Sequence, residues 1–166
     1  MTQQTAKGIT YPESTDHVRT WEHWQQMAED IDGLITVATG EAEDATTTTV
    51  TSTSFTDSSG GPFAATIVVP PSGTVIVNIR STQRNSTTNN TITHFSASGS
   101  VSGSVYGAST VAALIVRGTD NLSFSLCKRL TGLSPGETLT VTMLHRVNTT
   151  STGTMDYRHI LLEGTL

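Results

Sequence analysis

The sequence has 166 residues, 14% of them charged, a formal net charge of -5 and one cysteine. That length gives room for one ordinary domain and an appendage. The acidic balance lacks the basic face that a phosphate backbone demands, so nucleic acid is excluded as a partner, and the lone Cys127 excludes an intrachain disulfide framework or a multi-cysteine metal site.

Residues 1–13 read as an extended leader. No apolar run follows Lys7 and no stretch reaches membrane-spanning length, so a soluble chain that is neither exported nor membrane-inserted is expected. The leader ends at Tyr11-Pro12, because the residue before proline avoids the helical region.

A helix is expected over 14–40, capped by Ser14 or Asp16, with Glu13, Asp16 and Glu22 where the helix dipole favours negative charge. Its apolar positions are Trp21, Trp24, Ala28, Ile31, Ile35 and Ala38, spaced three, four, three, four and three apart, the rhythm of a coiled-coil seam. Met27 and Leu34 widen the stripe, which suits three strands better than two. The same stripe could instead lie on the chain's own β-domain, and fewer than three heptads with Gly33 inside do not hold a coiled coil unaided. Residues 41–45, opening with Glu41-Ala-Glu-Asp44, read as an acidic hinge.

From residue 46 to 166 the period changes to two, and the abundant Thr, Val and Ile suit a pleated surface. Strands are expected at 47–55, 64–69, 74–80, 91–97, 104–116, 123–130, 138–147 and 155–163, separated by turn-forming segments such as Pro70-Pro-Ser-Gly73 and Ser134-Pro-Gly136. Nearly continuous apolar runs at Ile67-Val-Val and Val75-Ile-Val-Asn-Ile suggest central strands, and the polar stretch 46–54 suggests an edge. The fold class is therefore mainly β: a short coiled-coil-like stalk followed by an antiparallel β-sandwich, jelly-roll-like or, alternatively, immunoglobulin/fibronectin-like.

Two segments carry a resemblance to a known group. Gly8-Ile-Thr-Tyr-Pro, followed by a helix ending in Met27-Ala-Glu-Asp-Ile-Asp32, resembles the opening of small minor tail and capsid decoration proteins of actinobacteriophages. Leu130-Thr-Gly-Leu-Ser-Pro-Gly-Glu137 with the strand after it, and the closing Tyr157-Arg-His-Ile-Leu-Leu-Glu163, resemble the hairpin and final strand of their C-terminal sandwich. The resemblance implies a virion structural protein, made in the host cytoplasm and built into the particle against other capsid or tail proteins. It implies no catalytic residue, cofactor or metal. Relatives assigned to tails are often longer, which keeps capsid decoration open. With the seam, the expected state is a homotrimer.

The residues themselves agree in offering no catalytic constellation. His17 and His23 are six apart and share no helical face as ligands would. His17 falls on the seam, where packing is the preferred role over an axial ion site. Asp57 and Asp120 read as turn-makers, and no Gly-x-Ser-x-Gly elbow occurs. The one loop with groups suited to sugar hydroxyls is Arg84, Asn85, Asn89 and Asn90, the candidate contact to a host-surface glycan. Chemistry is thus not expected, and assembly is: faces of Thr, Ser and apolar side chains so poor in charge are naturally buried between subunits.

Overall fold

The computed structural model describes residues 2–4, 10–12, 25–27 and 38–165, which fall in two units, 1–37 and 38–165. In the first, β1 (Thr2–Gln4) pairs antiparallel with β2 (Thr10–Pro12). Gln25–Met27 are helical. The seam positions Trp21, Trp24, Ala28, Ile31 and Ile35 lie outside the described residues.

The second unit has ten strands: β3 (Thr39–Asp44), β4 (Thr48–Val50), β5 (Phe63–Val68), β6 (Val75–Asn85), β7 (Asn90–Gly99), β8 (Gly103–Tyr106), β9 (Leu114–Arg117), β10 (Leu122–Leu130), β11 (Thr138–Val147) and β12 (Gly153–Gly164). They form two antiparallel sheets, ordered β10-β6-β12-β3 with β4 also on β12, and β5-β11-β7-β8 with β9 also on β7. Counting β3/β4 and β8/β9 as one position each, the orders are 6-3-8-1 and 2-7-4-5. Every connection but the fourth crosses from one sheet to the other, which defines a jelly roll and sets aside the immunoglobulin-like order.

The sandwich starts earlier than expected. Ala38, expected as the last seam position of the stalk, instead lies just before β3, partly buried against the core, and its carbonyl accepts a hydrogen bond from the Gly164 amide at 2.8 Å. The end of the stalk and the hinge at 41–45 are likewise corrected, since Thr39–Asp44 pairs along β12. The acidic residues that read as a hinge have neighbours: Glu41 meets His159 at 2.8 Å and the Glu43 carboxylate lies near the Tyr157 hydroxyl, while Ala42 packs on the core. Gly40 is required there, because a Cβ would stand 2.0 Å from the Thr66 carbonyl oxygen of β5.

The strand expected at 104–116 is broken by the 107–113 loop, where Ala112 adopts φ 61°. The strand expected at 47–55 shortens to β4. The apolar run at 67–69 belongs to an edge strand, with Val68 57% exposed, because β5 has only β11 beside it; β6 is central, as its sequence suggested.

Alternation fills the interior. Val75, Val77 and Ile79 of β6, Leu139, Val141 and Met143 of β11, and Ile160 and Leu162 of β12 meet Phe95 and Ala97 of β7 in one core. A second apolar cluster, Val50, Val147 and Met155, lies farther along the same strands. The inward positions between the two clusters are polar.

Candidate functional site

That polar layer is the main concentration of buried titratable chemistry among the described residues. The inward alternation of β6 continues after Ile79 with Ser81, Gln83 and Asn85; β7 contributes Thr93, β11 His145 and β12 Arg158, all buried. Gln83 Nε2 donates to the carbonyls of Thr91 and Leu114, both at 3.3 Å, which fixes its amide so that Oε1 accepts from the Thr93 hydroxyl. Having spent its proton there, Thr93 Oγ1 accepts from His145 Nδ1–H at 2.7 Å. The imidazole is therefore neutral with a lone pair on Nε2, which has no protein partner. Burial first, and then the Arg158 charge, push the His145 pKa down to about 3.

Arg158 is the matching buried cation. Nη1 donates to Ser58 Oγ at 2.7 Å, Nη2 donates to Asp44 Oδ2, and the guanidinium carbon sits 4.7 Å from the centre of the Phe63 ring. It thereby ties the β4–β5 loop and the end of β3 to the middle of β12. The backbones of Thr56 and His145 exchange hydrogen bonds, so the same loop is also held on β11. The layer is shut inside the sandwich and works as a structural clasp.

Glu137 makes a second clasp at the other end. Its carboxylate accepts from Ser102 Oγ (2.6 Å), Ser134 N (2.8 Å), Ser102 N (2.9 Å) and Val101 N (3.0 Å), joining the β7–β8 turn to the turn before β11. The Ser102 hydroxyl and amide, helped by the Val101 and Ser134 amides, hold its pKa down to about 2. A carboxylate so saturated is a permanent acceptor and not a proton carrier at neutral pH.

Of the expected glycan loop, Asn85 is buried and committed: Nδ2 donates to Thr91 Oγ1 and Ser151 Oγ, both at 3.1 Å, and Oδ1 accepts from the Thr87 amide at 3.0 Å. Asn90 and Asn89 have backbone roles, the amide of one bonding Asn148 Oδ1 and the carbonyl of the other accepting from Gly118. Arg84 reaches Asp156 at 3.2 Å and Asn121 at 3.3 Å. The four residues come together as a turn builder more than as an open cleft.

A more exposed grouping that sequence reading missed lies on the outer face of the β10-β6-β12-β3 sheet. Arg80 stands 5.7 Å over the Tyr157 ring, Tyr157 lies 6.4 Å from the His159 ring, and His159 meets Glu41. Burial and the Glu43 carboxylate raise the Tyr157 pKa. The signal was the alternation of the final strand, which puts residues 157, 159, 161 and 163 on one side. Among the described residues no group of three or more His, Cys, Asp or Glu is placed to hold a metal ion, and no helix is long and apolar enough to cross a membrane.

The sequence matches no protein family model and no curated protein. Among solved structures it is similar to the enzymatically active domain of tailspike protein 4 of bacteriophage CBA120, at 10% identity and a TM-score of 0.35 over 76% of this chain. The match covers 19% of that structure, so this chain spans about a fifth of its length. At that TM-score the likeness supports no conclusion about this chain.

Proposed function

We propose that this chain is a non-enzymatic structural component of a tailed bacteriophage virion, carried in several copies on the particle surface as a minor tail, tail-fibre or capsid decoration protein. The observation that supports it is how the sandwich spends its chemistry: Arg158 and Glu137 are buried and committed to fixing loops and turns, and His145 is buried against Thr93 of the neighbouring strand. Jelly rolls of this kind recur in viral capsid proteins and lectins, and the Gly8-Ile-Thr-Tyr-Pro opening and the Leu130–Glu137 hairpin segment resemble those of small phage virion proteins. Residues 1–37 are the attachment and trimerisation segment in this reading, and 38–165 the displayed body.

The test is incorporation. Purified particles contain the full chain by immunoblot, and particles made with residues 1–37 deleted lack it; a full chain absent from particles refutes the proposal. Light scattering of the full chain gives a mass that is a multiple of three chains if the seam trimerises.

A second reading, a module that binds host-surface glycans, is favoured by the Arg80, Tyr157 and His159 grouping, an aromatic face with charged hydrogen-bonding groups beside it. A glycan-array signal lost in Tyr157→Ala would support it, and a silent array would remove it.

A further inference from the structure

The two long sides of the sandwich are built differently. On one, β3 lies against β5 so closely that Gly40 admits no side chain. On the other, the edge strand β10 faces β8 and β9, which have four residues each. Residues 122, 124, 126, 128 and 130 of β10 stand opposite the inward-facing Gln83, Ser81, Ile79, Val77 and Val75 of β6, so Leu122, Phe124 and Leu126 point toward the interior side. Leu130 is part of the core and Leu126 packs against it, whereas Leu122 remains 42% and Phe124 44% exposed. A nine-residue edge strand thus offers its outer row of backbone groups together with uncovered apolar side chains, an arrangement that monomeric proteins avoid.

We propose that β10 is a pairing edge, at which two copies of this chain join their sheets antiparallel about a two-fold axis at Phe124. The sequence of the edge is self-complementary in that register. Phe124 meets its counterpart, Leu122 meets Leu126 of the second copy and Ser123 meets Ser125, so like side chains face like across the pair. The charges also match. Lys128 falls opposite Asp120, an exposed residue just before the strand, and each copy supplies this pairing once. The two Lys128 residues are eight positions apart, about 27 Å along the strands, and do not repel.

The full chain tests this. Light scattering should give an even number of chains, halved by Phe124→Lys, which replaces a residue already near half exposed and so leaves the circular dichroism spectrum unchanged. In a Cys127→Ser background, Phe124→Cys should form an intermolecular disulfide, because directly opposed residues in an antiparallel pair have Cα atoms 4.5–5.5 Å apart, within the range a disulfide spans. Lys128→Asp should weaken association about tenfold, and Asp120→Lys added to it should restore it. A wild-type chain with an odd mass, association untouched by Phe124→Lys, or an introduced thiol at position 124 that stays reduced under oxidation would overturn the proposal. So would a photo-crosslinking side chain at position 124 that captures residues 1–37 of its own chain.

Discussion

His145 should make the sandwich acid-sensitive well above the carboxylate range. Its pKa falls from 6.5 in the unfolded chain to about 3 in the fold. Between those values the unfolded state binds a proton that the native state refuses, so stability rises with pH across the window and is lost as pH falls from 6.5 toward 3. At 1.36 kcal/mol per pH unit the full effect is about 5 kcal/mol, and roughly 2 kcal/mol of it is spent between pH 6.5 and 5, before Glu137 or Asp44 can contribute. Buried His94, whose pKa burial also lowers, adds in the same direction. The perturbation is His145→Asn, whose amide can still donate to Thr93 Oγ1 but takes up no proton. Urea midpoints measured at half-unit steps from pH 7.5 to 5 should fall steeply for the wild type and much less for the variant. The variant should start about 1–2 kcal/mol lower at pH 7.5, from the lost ring volume. Equal slopes for the two proteins would refute the assignment of a neutral, buried imidazole at this position.

Arg158→Met removes the cation that holds Ser58 and Asp44, and should cost about 3 kcal/mol in urea unfolding while making the β4–β5 loop the first site of limited proteolysis. Glu137→Gln should lower the melting temperature at pH 7 and lessen the wild type's further loss of stability below pH 4.5, since a carboxyl held at about 2 stabilises only while ionised. Asn85→Ala should cost about 1–3 kcal/mol by leaving the Thr91 and Ser151 hydroxyls without their donor; an unchanged midpoint would mean that the turn is solvated and open. Gly40→Ala should prevent β3 from seating beside β5, read as a loss of amide protection along Thr39–Asp44 in hydrogen exchange.

Eight of the strand positions were legible in the sequence because alternation and turn chemistry are local. Pro70-Pro-Ser-Gly73 and Ser134-Pro-Gly136 mark their turns wherever the strands then go. What stayed hidden was set by distant partners. Glu41 and Glu43 read as linker until His159 and Tyr157, more than a hundred residues later, come to lie beside them. Ala38 fits a helical seam by spacing, and only pairing with Gly164 draws it into the sandwich. The same holds for the interior polar layer. The break in the inward series from Ile79 to Ser81 and Gln83, and from Met143 to His145, was present in the sequence, yet a polar inward position is uninterpretable until its donors and acceptors are known.

Those hidden features have one physical origin. A jelly roll sends nearly every connection across from one sheet to the other, so residues adjacent in space are remote in sequence and loops must be fixed by side chains more than by their own turns. Arg158 and Glu137 do this at opposite ends of the sandwich, the first paired with Asp44 and the second saturated by hydroxyl and amide donors. The consequence is a body whose buried ionic groups serve its own closure, leaving assembly to backbone edges and exposed side chains. On that logic the open flank is β10, while on the opposite flank β3 and β5 close on each other at Gly40 and Thr66.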